Sequence, residues 1–309
     1  RVPVVIGRQP TLHKPSMRAF KAELTDERSL RINPLCVTGF NADFDGDQMW
    51  CRVPVSEGAV EEVKELMSIE QNIYYPKNGE CSVMPRQEII YGLNVCTRAI
   101  LQKGSSMKSY SGYRELFDDL FMQRVRVQDT VTLDGYTECA GRVAFAACLP
   151  KEVFNKFGVK EVTSKTIAPY VEAMLDVSID SAIDGIDRMV ELGFKMGYIY
   201  PPTLNLLDEE DISYSDVIEE FHDSMKEMVG YYERGLEEES AFADAYDKGF
   251  ERMEQKVKDT IYDRVGKESG FVRLAESGAR GSKSNLTQMY GYKGRIQKSS
   301  RESFRAVIE

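Results

Sequence analysis

The sequence carries at residues 41–49 the stretch Asn41-Ala-Asp-Phe-Asp-Gly-Asp-Gln-Met49. Its three aspartates, Asp43, Asp45 and Asp47, occupy every second position, so their side chains point to one side of an extended or looped backbone. Carboxylates held that close repel one another unless protons or a cation compensate them. Gly46 lets the backbone turn so that all three can converge, and oxygen ligation with spare positions favours Mg²⁺. The stretch therefore predicts a magnesium site on a loop between apolar strands.

Three other interpretations of this stretch compete with the magnesium site. An EF-hand calcium loop beginning at Asp43 needs Gly at its sixth place and Glu at its twelfth, where Gln48 and Pro54 stand. A haloacid-dehalogenase-type phosphatase calls for Thr or Val at Asp47 and for an alternating βαβα pattern, which does not follow. A solvated acidic turn without function is disfavoured by the spacing, the central glycine and the flanking strands.

The charge is distributed unevenly along the 309 residues. The formal net charge is −10, which on its face argues against a nucleic-acid binder. Residues 208–264 hold 7 basic and 19 acidic side chains, whereas residues 265–309 hold 9 basic and 4 acidic ones. The acidity is therefore local, and the basic C-terminal part is suited to meet anions.

The six cysteines stand singly, and there are only two histidines. No Cys-x-x-Cys pair occurs, so we expect no zinc site and no disulfide framework, only buried reduced thiols. The longest apolar runs are far shorter than the roughly 20 residues that a membrane span needs. We therefore expect a soluble, cytoplasmic protein. The chain starts at Arg1 inside an apparent strand, which suggests that it is part of something longer.

The patterns along the chain predict an α+β protein in four parts. Residues 1–93 read as a β-rich domain with strands at 2–6, 30–37, 50–55, 72–75 and 81–84 and a helix over 57–69. Residues 94–207 are mixed, with a strand pair at 130–132 and 142–147 and a helical region over 167–196. Residues 208–264 show apolar steps of three and four, typical of an antiparallel helical hairpin. Residues 265–309 form a basic, Gly-rich segment.

Several motifs together resemble the largest catalytic subunit (β′ in bacteria) of multisubunit DNA-dependent RNA polymerases. The stretch at 41–49 is similar to the active-site signature of that family. Four further motifs on either side of it occur in the same order as in the family: Arg8-Gln-Pro10-Thr-Leu-His13, Pro76-Lys-Asn-Gly79, Pro85-x-Gln-Glu88 and Ser277-Gly-Ala-Arg-Gly-Ser282. Resemblance is strong over residues 1–93 and 271–298, and between them it lies mainly in the order of elements.

The resemblance implies a double-psi β-barrel that carries the aspartates, followed by a helical hairpin at the rim of the pore through which nucleotides enter. It implies that Asp43, Asp45 and Asp47 hold one Mg²⁺ and that a second arrives with the nucleotide, so that phosphodiester formation uses two metals. By the same resemblance, Arg8 and Asn41 would contact the ribose, Pro10 would support that contact, and Arg280 would meet the triphosphate.

The resemblance also implies partners. The family's bridge helix and trigger loop would follow Glu309, so the chain resembles a split β′ subunit of giant bacteriophage polymerases. We therefore expect activity only with β-like chains, the remaining β′ part, DNA template, RNA and nucleoside triphosphates. Two alternatives stay open: a two-barrel RNA-dependent RNA polymerase, which shares the Asp-x-Asp-Gly-Asp core, and a non-catalytic scaffold whose acidic hairpin docks regulators.

Overall fold

The computed structural model describes residues 3–98, 104–203, 212–235, 239–266, 269–294, 296–297 and 303–304. The chain divides into two compact units, Arg1–Met196 and Gly197–Glu309. Small sheets are combined with many helices, so the predicted α+β class is confirmed. This division is coarser than the four predicted parts, whose boundaries stay predictions. Within the described ranges, no helix is long and apolar enough to cross a membrane.

The first unit begins with a sheet whose central strand is covered on both faces. Its elements are β1 (Pro3–Gly7), β2 (Met17–Lys21), α1 (Val37–Phe40), β3 (Trp50–Arg52) and α2 (Glu57–Leu66). The strands are antiparallel in the order β2-β1-β3. Because successive strand residues point to opposite faces, Val5 shares a core cluster with Val63 of α2, whereas Ile6 shares another with Phe40 of α1. The strand β1 is therefore anchored from both sides.

The rest of the first unit combines a second small sheet with helices. Its elements are α3 (Glu88–Thr97), β4 (Gly104–Tyr110), α4 (Tyr113–Phe121), β5 (Asp129–Leu133), β6 (Tyr136–Cys139), α5 (Ala140–Ala146), α6 (Lys151–Phe157), α7 (Ala168–Val177) and α8 (Ile179–Ile199). The strand β5 lies between β4, its parallel neighbour, and β6, its antiparallel neighbour. Asp134 and Gly135 join β5 to β6 with φ values of 51° and 80°, as a tight two-residue hairpin turn requires.

Several predicted elements of the first unit are wrong. No strand covers 30–37, where a 3₁₀ turn at Pro34–Cys36 leads into α1. The apolar run at 142–147 is helical and lies almost wholly in α5, since a short apolar run has no period that separates strand from helix. The predicted strands at 72–75 and 81–84 meet only in one bridge, between Tyr74 and Cys81. The helical region over 167–196 is interrupted at Ser178, whose extended backbone separates α7 from α8.

The second unit is built on long helices. Its elements are α9 (Ser215–Glu233), α10 (Glu239–Val265), α11 (Gly270–Ser277), α12 (Lys283–Met289), β7 (Ile296–Gln297) and β8 (Ser303–Phe304). The helices α9 and α10 contact each other in opposite chain directions: the Tyr232 ring stacks on Phe242 at 4.5 Å, while Lys256 pairs with Glu220 at 2.6 Å. Their apolar residues join one cluster with residues of α11 and α12, made of Phe221, Phe250, Met253, Val257, Ile261, Tyr262, Val272, Leu286 and Tyr292.

The cysteines are free, and five of the six are buried: Cys36, Cys81, Cys96, Cys139 and Cys148. Burial raises the pKa of the Cys96 thiol well above its usual range, so this thiol stays protonated near neutral pH. The prediction of buried reduced thiols is confirmed for these five. It is wrong for Cys51, which lies exposed on β3.

Arg18 of β2 is an unexpected member of the first core. It is 1% exposed, and its Nε, Nη1 and Nη2 atoms have no hydrogen-bond partner among the described residues. The Cys36 thiol lies beside the guanidinium, and its interaction with Arg18 only partly offsets the effect of burial. Burial therefore lowers the pKa of Arg18. A Cβ at Gly39 of α1 would lie 2.8 Å from Nη2, so a glycine there makes room for this side chain.

Candidate metal centre

The loop at residues 41–49, called here the aspartate loop, begins where α1 ends. Asn41 follows Phe40 in the left-handed conformation, with a φ of 48°. The amide of Asn41 donates to the Thr38 carbonyl at 3.1 Å, and the amide of Ala42 donates to the Val37 carbonyl at 3.1 Å. These bonds satisfy the last carbonyls of the helix, and asparagine tolerates the left-handed region because its short side chain can bond locally. Asn41 therefore turns the chain out of α1 and into the loop.

The structure brings the three aspartates together. One carboxylate oxygen from each of Asp43, Asp45 and Asp47 lies within 4.8 Å of the others. Gly46 has a φ of 119°, which residues with a Cβ rarely adopt, and it supplies the turn between the second and third aspartates. All three aspartates are exposed to solvent. In the part of the chain that the structure describes, no other group of three or more His, Cys, Asp or Glu could hold a metal ion.

Asp47 also closes the loop on itself and ties it to β1. Its Oδ2 atom accepts the backbone amide of Asp43 at 3.2 Å. The same oxygen accepts Nε of Arg8 at 2.8 Å. Arg8 directly follows β1, and its own amide donates to the Ser16 carbonyl at 3.3 Å. Both bonds to Asp47 end on Oδ2 and neither uses Oδ1, so this carboxylate can hold the loop closed and still offer a ligand atom.

These contacts shift the pKa values of Asp45 and Asp47 in opposite directions. The hydrogen bond with Asp43, and then the negative charge of that group, raise the pKa of Asp45 above its usual range. The amide of Asp43, followed by the Arg8 guanidinium, lowers the pKa of Asp47. Arg8 therefore compensates Asp47, at one end of the triad, whereas Asp43 and Asp45 can lie this close only with a shared proton or with a divalent cation.

The other predicted site residues lie in different surroundings. Pro10 is exposed beyond β1 and follows a cis peptide bond, and the Thr11 hydroxyl donates to the Arg8 carbonyl at 3.3 Å. Asn41 is exposed at the start of the aspartate loop. Arg280 belongs to the second unit, where it is exposed after α11, and its amide donates to the Leu274 carbonyl at 3.5 Å. The contacts of Pro10, Asn41 and Arg280 with a nucleotide stay predictions.

Sequence reasoning missed the direct bond between Arg8 and Asp47. The two residues are far apart along the chain, and no periodic pattern joins them. The pair arises because β1 pairs with β3, the strand that follows the aspartate loop, so Arg8, just after β1, comes close to Asp47, just before β3. The residue types alone carried a weak signal, since one arginine near three carboxylates is a favourable arrangement.

Two family models match the chain. Residues 1–69, which contain the aspartate loop and Arg8, match RNA polymerase Rpb1, domain 2. Residues 229–308, which contain Arg280, match RNA polymerase Rpb1, domain 4.

Relatives extend the match along nearly the whole chain. The β′ subunit of DNA-directed RNA polymerase from Sulfurovum sp. is 29% identical, across 96% of this chain and 20% of its own length. The β′ subunits of Thermosipho africanus and Salinibacter ruber are both 30% identical, across 94% and 96% of this chain. The chain belongs to the RNA polymerase β′ family. It spans about a fifth of the length of these β′ relatives.

The similarity to β′ subunits also covers the residues between the two matched domains. The residues between the matched domains, 70–228, also fall largely within the aligned β′ sequences, because the alignments cover at least 94% of the chain. The homology is thus broader than the motifs at either end indicate.

Proposed function

We propose that the chain forms the catalytic-centre segment of a DNA-directed RNA polymerase, which joins a nucleoside triphosphate to an RNA 3′-hydroxyl and releases pyrophosphate. The observation that carries this proposal is the convergence of three exposed carboxylates within 4.8 Å on a loop inside the matched Rpb1 domain 2. The relatives are subunits of DNA-directed RNA polymerase, which supports this proposal.

The donor set of the aspartate loop fits Mg²⁺. Three carboxylates supply only oxygen atoms, and their exposure leaves room for water or phosphate ligands. Asp43, Asp45 and Asp47 would hold the ion. When bound there, it would lower the pKa of the RNA 3′-hydroxyl and orient it, while a second Mg²⁺ brought by the nucleotide would stabilise the leaving pyrophosphate.

The chain's own residues would place the substrate around this loop. Arg8 holds Asp47 through Nε, and the planar guanidinium has further N–H donors with which it can meet a ribose hydroxyl. Asn41 would contact the ribose from the start of the loop, and Pro10 would support Arg8. Arg280 would donate to the triphosphate, a role that suits its exposure in a Gly-rich basic segment.

The architecture that we propose around this centre follows the family resemblance. The sheet β2-β1-β3 would belong to a double-psi β-barrel, and α9 with α10 would form the helical hairpin at the nucleotide-entry pore. The exposed acidic residues of these helices would face solvent. DNA, RNA and further polymerase subunits would complete the enzyme, which we propose works in the cytoplasm.

The metal site can be tested on the chain itself. Asp45→Asn keeps the size of the side chain and removes one ligand charge, so we expect Mg²⁺ to bind the variant at least about tenfold more weakly. Isothermal titration with MgCl₂ measures this difference. Asp26→Asn is the matched control, because Asp26 is an exposed aspartate of the same unit outside the loop. Equal Mg²⁺ affinities for Asp45→Asn and the unchanged chain would contradict the metal assignment.

The catalytic role is tested in the polymerase assembled with its partner chains. We expect Asp45→Asn to abolish RNA synthesis while Asp26→Asn leaves it unchanged. If the chain were only a scaffold, the assembled enzyme would tolerate Asp45→Asn. Parallel assays on DNA and RNA templates separate the DNA-directed activity from that of an RNA-dependent polymerase.

A further inference from the structure

A cavity of about 550 Å³ lies in the first unit, away from the aspartate loop. Pockets of about 300–1,000 Å³ are typical of sites for small molecules. The residues of its lining that carry recognition chemistry are Tyr113, Tyr136, Lys151, Phe154, Asn155 and Arg188. They come from the starts of α4, β6 and α6, from the interior of α6, and from α8. We call it the α4–α6 cavity.

Aromatic rings form part of the wall of the α4–α6 cavity. The rings of Tyr136 and Phe154 meet edge to face, with 4.9 Å between their centroids. Each is only partly buried, and so is Tyr113. Aromatic rings that line a cavity offer stacking platforms for a flat ligand such as a nucleobase.

Two cations also line the cavity, Arg188 and Lys151. The Arg188 guanidinium stacks over the Tyr113 ring at 4.4 Å, and its Nη1 donates to the Ala147 carbonyl at 3.1 Å. The only carboxylate paired with it among the described residues is Asp184, at 3.7 Å; this aspartate is 76% exposed, so water screens the pair. Lys151 is exposed at the start of α6 and has no ion-pair partner among the described residues. Guanidinium and ammonium groups that are weakly paired in this way suit phosphate oxygens.

We propose that the α4–α6 cavity binds a nucleotide. The base stacks against the aromatic wall, and the phosphates meet Lys151 and Arg188. Asn155 supplies an amide that can both donate to and accept from the edge of the base. The carboxylate of Asp134, which also lines the cavity, accepts from ring or exocyclic N–H groups of the base and repels the phosphates. This site is independent of the aspartate loop and does not rest on the proposed function.

Fluorescence titration of the full chain with mant-ATP tests the site. EDTA in the buffer removes Mg²⁺, and a chain in which all three loop aspartates are changed to asparagine excludes binding at the aspartate loop. We expect saturable binding that the loop variant retains. We expect Lys151→Ala to weaken this binding at least fivefold. The matched control is Lys156→Ala, which removes a second lysine of α6 that does not line the cavity, and we expect a change below twofold.

Competition with adenosine and with tripolyphosphate separates the two halves of the ligand. We expect each to displace mant-ATP, but more weakly than ATP. Arg188→Gln adds a second variant, since glutamine can still donate to the Ala147 carbonyl while the charge is lost, and we expect at least a fivefold loss with an unchanged circular dichroism spectrum. Absence of saturable binding, equal effects of the two lysine variants, loss of binding in the loop variant, or displacement by tripolyphosphate alone would each overturn the proposal.

Discussion

At the scale of single residues, the buried guanidinium of Arg18 makes a prediction about stability. Removing an unpartnered charge from the interior eliminates its desolvation cost, and an apolar replacement of similar length can fill the same space. We expect Arg18→Met to leave the free energy of unfolding unchanged or to raise it by about 1–3 kcal/mol. Urea unfolding followed by circular dichroism measures the change.

The control for Arg18 is Arg52→Met, on the exposed strand β3 of the same sheet, for which we expect a change within about 0.5 kcal/mol. A loss of more than about 2 kcal/mol in Arg18→Met alone would show that the native protein compensates this charge, for example with a buried anion, which the contacts of the described residues do not provide.

The contacts of the aspartate loop differ in whether neighbouring residues in the sequence are enough to predict them. The spacing of Asp43, Asp45 and Asp47 was enough to predict that their carboxylates meet, because it depends only on backbone alternation and a glycine turn. The bond from Arg8 to Asp47 depends on strand pairing, which a single sequence specifies weakly. The burial of Arg18 was equally hidden, since an arginine is almost never fully buried without a partner.

At the scale of elements, α3 and α8 cross at glycines. A Cβ on Gly92 would lie 1.8 Å from the backbone oxygen of Gly193, and a Cβ on Gly193 would lie 2.6 Å from the backbone oxygen of Ile89. Backbone atoms cannot yield as a flexible side chain can. We therefore expect Gly92→Ala to lower the free energy of unfolding by about 1–3 kcal/mol, measured by urea unfolding.

Gly58 in α2 is the matched control for this crossing, because nothing lies within 4 Å of a Cβ built there. Gly58→Ala should raise stability by up to about 1 kcal/mol through better helix propensity and a smaller unfolded-state entropy. If both alanine variants raise stability, the helices do not cross as closely as described.

Another element-scale prediction concerns Asp119, which links α4 to β4. The side chain is 6% exposed; it accepts from Lys108, from the Tyr110 hydroxyl at 2.9 Å and from Arg124 at 3.4 Å. The bond with Lys108 is the largest of the causes that lower the pKa of Asp119. A carboxylate whose pKa is lowered by folding contributes stability above its unfolded pKa, about 3.9, and loses that contribution as the pH falls through the folded value.

We therefore expect Asp119→Asn to be less stable than the unchanged chain at pH 6, with a gap that narrows below about pH 4. Urea midpoints measured from pH 3 to 7 give the profile. The exposed neighbour Asp118→Asn should show no such gap. A gap for Asp119→Asn that stays constant from pH 6 to pH 3 would rule out a carboxylate stabilised by these contacts.

The elements themselves were predictable to different degrees. The helix α2 was found within a few residues because its apolar positions repeat with helical spacing. The structure adds that the Ser56 side chain caps its first turn. The strand β2 was missed, since Arg18 sits at a position where alternation suggests an apolar residue. The helix α5 was mistaken for a strand because Val143 to Ala147 is apolar throughout, and its partners in the fold decide its state.

At the scale of the whole molecule, the net charge of −10 is misleading as a guide to ligands. Much of it belongs to α9 and α10, where residues such as Glu219, Asp223 and Glu227 are exposed. A further part sits in the aspartate loop, where a metal would neutralise it. The net charge therefore reflects mainly the exposed surfaces of these helices and the aspartate loop. Only the distribution of charge along the chain is informative about the proposed contacts with anions.

The anchoring of β1 differs from that of the loop that carries the candidate metal ligands. Arg8 leaves a strand whose two faces are buried, whereas the carboxylates project from a solvent-exposed turn behind a four-residue helix. We therefore expect Arg8 to be held more firmly by its surroundings than the aspartate loop, and the ion pair between Arg8 and Asp47 joins the two. We expect this arrangement to let the aspartate carboxylates shift slightly towards an ion without disturbing the core. The fixed position of Arg8, through its ion pair with Asp47, would limit that shift.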